Sequence, residues 1–102
     1  MSGNNPQILR SPEAQEDLLS IWHFGAQEWS PEQADQHLRD IDHMLDRLGE
    51  DPKLGQKRDG LIPGLRSILV RPHLIFYQLS AGAVTIVRVL HQRFDTATRF
   101  RQ

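Results

Sequence analysis

Residues 65–91 decide the fold, and they read LRSILVRPHLIFYQLSAGAVTIVRVLH. Apolar runs rich in β-branched and aromatic residues alternate here with the turn-forming residues Pro72 and Ser80-Ala81-Gly82. The pattern predicts an antiparallel meander with strands at residues 65–71, 73–79 and 83–91. The last two runs are apolar on both alternating faces, as in central strands. One face of the sheet therefore needs a helical cover, and the other needs the C-terminal segment or a partner.

Two helices are predicted before the meander. Ser11-Pro12 and Ser30-Pro31 each place a capping serine before a proline suited to the first helical turn, and Gln33 completes a capping box. Apolar residues then recur at helical spacing. They are Ala14, Leu18, Ile21, Trp22, Gly25 and Trp29 in the first helix, and Ala34, Leu38, Ile41, Leu45 and Leu48 in the second, with Gly49 at its predicted end. The two stripes predict an antiparallel hairpin.

The remaining segments complete a small α+β fold. Residues 7–10 are a candidate strand, and residues 1–6 are a polar tail expected to be disordered. Residues 50–64 are rich in glycine and proline and carry Lys53, Lys57 and Arg58, which indicates a basic loop. A chain of 102 residues has room for one domain, assigned to residues 7–102. We predict the order β-α-α-β-β-β, with the hairpin packed on a small, mainly antiparallel sheet.

Charge and composition limit the classes of function. Cysteine is absent, which excludes disulfides and thiolate chemistry and fits a reducing compartment. No apolar run approaches the about 18 residues of a membrane span, and residues 1–7 lack signal-peptide features, so we expect a cytoplasmic protein without membrane contact. Residues 1–51 hold 3 Arg and 11 Asp/Glu, a net charge of −8, whereas residues 52–102 hold 9 Lys/Arg and 2 Asp/Glu, a net charge of +7. This division predicts two surfaces with different partners.

The histidines do not predict a metal centre. His37 and His43 are six residues apart, not the three or four that place ligands side by side on a helix. With His23, they are expected to lie on the surface. His73 and His91 occupy strand positions that can approach each other, but few carboxylates are near in sequence. We expect neither a metal nor a cofactor.

Several motifs together resemble the ParE branch of the RelE/ParE toxin superfamily. They are Asp51-Pro52-Lys53-Leu54-Gly55, Ile62-Pro63-Gly64-Leu65-Arg66-Ser67, His73-Leu74-Ile75-Phe76-Tyr77, Ile86-Val87-Arg88-Val89-Leu90-His91, and the closing Arg93 and Asp95. Their order and spacing make the resemblance specific, and it covers nearly all of residues 7–100.

The resemblance implies the toxin of a bacterial type II toxin–antitoxin pair. ParE-like toxins are held to inhibit DNA gyrase and block replication, and they are not themselves enzymes. The implied partner is a ParD-like antitoxin, whose ribbon–helix–helix part binds operator DNA and whose C-terminal segment wraps the toxin. The toxin would then reach operator DNA only through the antitoxin. The implied assembly is a hetero-oligomer of two toxins with two antitoxins, or a larger one.

Two alternatives stay open. A RelE-like toxin would be a ribosome-dependent messenger RNA endoribonuclease, which needs cations for the developing phosphorane and a group for proton transfer. The chain supplies cations, but it has Arg99-Phe100 where some RNA-cutting relatives carry tyrosine, and its one tyrosine, Tyr77, lies mid-strand. We therefore predict no catalytic residue. The second alternative is an inactive toxin-fold binding module.

The helical pattern and the family resemblance together indicate candidate binding residues. Leu18, Trp22 and Trp29 either belong to the core or line a groove for an antitoxin helix. The candidate antitoxin-binding set is Leu18, Trp22, Trp29, Arg66, Arg71 and Arg88, in which the arginines receive acidic residues of the antitoxin tail. The candidate target-binding set is Arg71, His91, Arg93, Arg99 and Phe100. Direct sequence-specific DNA binding is not expected, because the helices are acidic.

Overall fold

The computed structural model describes residues 6–93. The elements in chain order are β1 (Gln7–Arg10), α1 (Pro12–Glu28), α2 (Pro31–Glu50), β2 (Gln56–Lys57), β3 (Leu65–Val70), β4 (His73–Ser80) and β5 (Ala83–His91). The predicted α+β order is confirmed, with the two-residue β2 added inside the basic loop. The predicted tail lies outside the described residues apart from Pro6.

All five strands form one mixed sheet in the order β1-β5-β4-β3-β2. The meander pairs antiparallel, and β2 pairs antiparallel with β3. β1 pairs parallel with β5, with Gln7 opposite Ala83 and Arg10 opposite Ile86. The chain therefore returns after the hairpin and the meander to lie beside its own first strand.

The predicted serine caps begin both helices. Ser11 Oγ accepts from the Ala14 amide at 3.0 Å, and Ser30 Oγ accepts from the Gln33 amide at 3.1 Å. Gly49 does not end α2, which continues to Glu50. Instead, Gly49 is buried, and a Cβ atom there would stand 3.6 Å from Ile8 Cδ1. This is an ordinary van der Waals distance, so β1 packs beside the helix at this position.

Both faces of the sheet are covered. The main core lies between the hairpin and the sheet and contains Ala14, Leu18, Ile41, Leu45, Leu48, Ile75, Tyr77, Val84, Ile86 and Val89. A smaller cluster of Leu65, Phe76 and Leu90 lies on the opposite face, where Leu61 and Ile62 of the basic loop pack against it. The Arg58 guanidinium stands 5.6 Å from the Phe76 ring centroid. The basic loop thus packs on the sheet face that we expected the C-terminal segment or a partner to cover.

Candidate functional site

An open groove separates α1 from α2 beside the end of β1. We call it the hairpin groove; it has a volume of about 410 Å³ and is lined by Arg10, Gln15, Leu18, Leu19, Trp22, Leu38 and Asp42. Leu19 is 63% exposed within it. Trp22 Nε1 donates to Asp35 Oδ1 at 2.7 Å, and the Arg10 guanidinium donates to Asp42 Oδ1 at 2.8 Å. The groove therefore has an apolar floor, and at its rim Arg10 is paired with Asp42 and Trp22 with Asp35.

The three apolar residues predicted to line a groove or the core, Leu18, Trp22 and Trp29, lie in two different places. Leu18 is buried and Trp22 is half-buried, and both line the hairpin groove. Trp29 follows the end of α1, is 56% exposed, and packs edge to face on Phe24 with ring centroids 6.4 Å apart. The core interpretation is therefore wrong for Trp29, whose ring packs at the surface on the exposed ring of Phe24 and not against the sheet.

Arg88 is engaged inside the protein. Its Nε and one terminal nitrogen donate to the two carboxylate oxygens of Asp17, each at 2.8 Å. Asp17 Oδ2 also accepts from the Val89 amide at 2.9 Å. Hydrogen bonding to Asp17 raises the pKa of Arg88. The guanidinium that was predicted to receive an antitoxin carboxylate already holds one from α1.

A bulge in β5 places this ion pair. Phe76 is opposite Arg88 and Tyr77 is opposite Ile86, so Val87 is the extra residue. Beyond Ile86, β5 has lost β1 as a neighbour. There, the edge of β5 is hydrogen-bonded by the cap and first turns of α1. Ser11 Oγ donates to the Val87 carbonyl at 2.8 Å, and Asp17 Oδ2 accepts from the Val89 amide.

Three histidines and two arginines gather at one end of the sheet. We call His37, Arg71, His73, His91 and Arg93 the strand-end cluster. His73 lies opposite His91, with ring centroids 5.5 Å apart, and a hydrogen bond of 2.9 Å joins His37 Nε2 to His73 Nδ1. The expectation that His37 is a surface residue is wrong, because its ring is half-buried. The sequence feature that indicates this burial is the four-residue spacing between His37 and the core residue Ile41, which places both on the same face of α2.

Burial and neighbouring charge shift two of these imidazoles. Burial lowers the pKa of His73 to about 4, and His37 and His91 add to the effect. Burial also lowers the pKa of His37, which Asp40 partly offsets. Both rings are therefore neutral near pH 7.

A second groove, the β5 groove, opens beside the cluster between α1 and β5. Its volume is about 390 Å³, and its lining includes Ile21, Phe24, His73, Leu90 and His91. Within residues 6–93, no group of three or more histidines and carboxylates is arranged to hold a metal ion. No helix in this range is long and apolar enough to cross a bilayer. The candidates Arg99 and Phe100 lie outside the described residues.

The family profile described as "ParE toxin of type II toxin-antitoxin system, parDE" matches residues 8–96. The chain belongs to the ParE toxin family. Toxin ParE1 of Mycobacterium tuberculosis (strain ATCC 25618 / H37Rv) is 40% identical over 90 residues, which cover 87% of this chain and 92% of the relative. Toxin ParE1 of Caulobacter vibrioides is 35% identical over 85 residues, which cover 83% and 88%.

A solved structure from P. aeruginosa shows the same fold. It is described as a chromosomal ParDE TA system, and it superposes with a TM-score of 0.76 at 20% sequence identity. The superposition covers 87% of this chain and 98% of that chain.

In this ParE-family chain, the Asp51–Gly55 motif is held by two side chains of the sheet. The Tyr77 hydroxyl accepts from the Gly55 amide and donates to the Pro52 carbonyl, both at 2.8 Å. Arg66 donates to the carbonyls of Gly55 at 2.7 Å and Lys53 at 3.2 Å. Burial raises the pKa of Tyr77. Arg66, a predicted antitoxin contact, and Tyr77 therefore act in the fold as anchors of this turn.

Acidification is expected to weaken the ParE-family fold between pH 6.5 and about 4. Because His73 and His37 have lowered pKa values when folded, the unfolded chain binds more protons in this range, so the free energy of unfolding falls as pH falls. Above pH 6.5 this contribution is fully present. Urea unfolding across the range should show a weaker pH dependence for His73→Asn than for the wild type.

His43→Asn is the matched control, because His43 is an exposed histidine on α2. It should retain the wild-type pH dependence. Identical slopes for His73→Asn and the wild type would contradict the role assigned to His73.

Proposed function

We propose that this chain inhibits DNA gyrase and blocks replication in the cytoplasm, and that a ParD-like antitoxin neutralises it by direct binding. Family membership supports the gyrase target. The hairpin groove is the observation that carries the antitoxin part, because its apolar floor between the two helices fits the apolar face of an amphipathic helix. In this proposal the chain acts by binding and not as an enzyme. It reaches operator DNA only through its antitoxin. The complex contains two toxins and two antitoxins, or is larger.

The groove indicates the chemistry of the antitoxin segment. Leu18, Trp22 and Leu38 form its floor, so the docking helix should present apolar residues at positions i, i+3 or i+4, and i+7. Asp35 and Asp42 stand at the rim. Asp42 is paired with Arg10, whereas Asp35 accepts from the neutral indole of Trp22, so Asp35 favours a basic residue on that flank of the helix.

Of the three arginines in the predicted antitoxin-binding set, Arg71 best suits an acidic antitoxin tail. Arg66 holds the Asp51–Gly55 turn and Arg88 holds Asp17. Arg71 is exposed and makes no ion pair with another residue in the described range. The acidic contact of the tail is therefore assigned to Arg71.

The same contacts weigh against the ribonuclease alternative. A general acid or base needs a proton-transfer group within reach of a substrate. The Tyr77 hydroxyl is bound on both sides by the turn, and Arg66 and Arg88 are engaged with internal oxygens. This arrangement supports binding as the mode of action.

Purified chain is expected to inhibit supercoiling by DNA gyrase and to accumulate cleaved DNA complexes. Addition of the antitoxin encoded beside it should restore supercoiling. In cells, induction should cause filamentation and a DNA-damage response. Intact gyrase activity together with codon-phased cuts in messenger RNA would contradict this proposal and support the ribonuclease. If gyrase and messenger RNA were both unaffected, the chain would be an inactive binding module.

Leu19→Glu is expected to weaken antitoxin binding about 10-fold to 100-fold, since burial of a leucine side chain contributes about 1.5–3 kcal/mol. Leu19 is largely exposed in the free chain, so the variant should fold and stay toxic. Calorimetric titration with the antitoxin measures the change. Leu79→Glu, at a leucine that is 41% exposed at the end of β4, is the matched control and should bind normally. Equal affinities for the two variants would exclude the hairpin groove.

A further inference from the structure

The end of α1 presents an exposed pair of aromatic rings. Phe24 is 59% exposed and Trp29 is 56% exposed, and the two rings pack edge to face with centroids 6.4 Å apart. We call this pair the aromatic corner. Neither residue lines the hairpin groove. Exposed apolar patches mark sites of protein–protein interaction, and aromatic residues are enriched at such sites.

The ring of Trp29 is held in place by the fold. The Trp29 amide donates to the Gly25 carbonyl at 2.9 Å, which closes the last turn of α1. The six-membered part of the indole lies against that turn, because a Cβ atom placed on Gly25 would stand 3.5 Å from Trp29 Cε3. A ring that is already ordered loses little conformational entropy when a partner covers it.

The aromatic corner continues into the β5 groove. Phe24 lines that groove together with Ile21 of α1 and Leu90 of β5. The charged residues of the lining, Asp17 and Arg88, bind each other and leave the groove suited to an apolar side chain. A partner segment can therefore place an apolar residue in the groove while its neighbouring residues cover Trp29.

The charges beside the corner favour a basic partner. Glu28 precedes Trp29 in the last turn of α1, and Glu32 lies in the first turn of α2. Both are exposed, and neither makes an ion pair in the described part of the chain. The last turn of α1 carries no basic residue, although the negative end of the helix dipole lies there. A guanidinium stacks favourably on a tryptophan ring and pairs with a carboxylate.

We propose that the aromatic corner and the β5 groove together bind the protein target of this chain. The bound segment carries an apolar residue for the groove and an arginine or lysine that covers Trp29. Glu28 and Glu32 disfavour a phosphodiester backbone at this surface, since they repel it. The identification of the target as gyrase rests on the proposed function. The hairpin groove and the β5 groove are lined by different residues of α1, so variants can separate antitoxin binding from target binding.

Trp29→Ala in the full chain tests the corner. It should raise the concentration that half-inhibits gyrase supercoiling at least about tenfold, and it should relieve growth arrest in cells at equal protein level. Its affinity for the antitoxin, measured by calorimetric titration, should change less than about twofold, which also shows that the variant is folded. Leu69→Ala, at a leucine that is 36% exposed on β3, is the matched control and should act like the wild type.

A charge variant tests the basic partner. Glu28→Gln/Glu32→Gln should weaken inhibition about threefold to tenfold, since exposed ion pairs are individually weak. It should also make inhibition less sensitive to added NaCl, because the attraction that salt screens is gone. Asp46→Asn/Glu50→Gln removes the same charge from exposed residues near the other end of α2 and should behave like the wild type.

The growth assay separates this surface from the identity of the target. Growth arrest without gyrase inhibition, relieved by Trp29→Ala, would keep the corner as the target surface and remove gyrase from the proposed function. The corner is not the target surface if Trp29→Ala arrests growth like the wild type, if it loses antitoxin affinity, or if the purified chain forms a dimer that Trp29→Ala dissociates. Equal effects of the two charge variants would overturn the basic partner. A wild-type chain that does not arrest growth would overturn both the surface and the proposed function.

Discussion

Asp17→Ala is expected to destabilise the protein by about 3 kcal/mol, because it leaves a largely buried guanidinium without its counter-charge. The side chains of Asp17 and Arg88 are 13% and 23% exposed, so water replaces the lost carboxylate only in part. The Val89 amide also loses its acceptor at the free edge of β5. Urea unfolding at pH 7.5 measures the loss.

Two further variants separate this ion pair from general effects on α1. Glu16→Ala, at the exposed neighbouring acid, should change stability by less than about 0.5 kcal/mol. Adding Arg88→Met to Asp17→Ala should recover part of the loss, because the unpaired charge is then gone. Similar losses for Asp17→Ala and Glu16→Ala, or no recovery in the double variant, would refute the account.

Gly55→Ala is expected to cost about 2–3 kcal/mol by overpacking a buried turn. A Cβ atom at Gly55 would stand 2.6 Å from the Tyr77 hydroxyl oxygen and 2.7 Å from the Ser67 backbone oxygen. Neither atom belongs to a flexible chain end, since the hydroxyl is held by two hydrogen bonds and the carbonyl belongs to β3. The variant should show lower thermal stability and lower soluble yield.

Gly60→Ala is the control, because a Cβ atom there meets nothing within 4 Å. It should be neutral or slightly stabilising, since alanine restricts the unfolded chain. In a Tyr77→Phe background, Gly55→Ala should cost less, although the Ser67 oxygen still opposes the new methyl group. A Gly55→Ala protein as stable as Gly60→Ala would show that the turn relaxes freely.

Local signals in the sequence determined the elements of this protein and its family. Ser11-Pro12 and Ser30-Pro31 predicted both helix starts, because a capping hydroxyl and a proline act within one turn of the chain. The apolar runs at residues 65–91 predicted the meander, and the ordered motifs indicated the ParE toxins. Each of these signals lies within a few neighbouring residues.

The tertiary structure alone decided what those residues do. Ser11 was predictable as a cap, yet its hydroxyl also donates to the Val87 carbonyl, 76 residues away. The bulge at Val87 directs Arg88 toward Asp17, and the pairing of β4 with β5 brings His73 to His91. These contacts depend on strand register and on the parallel return of the chain to β1, and periodicity within one element carries no information about either.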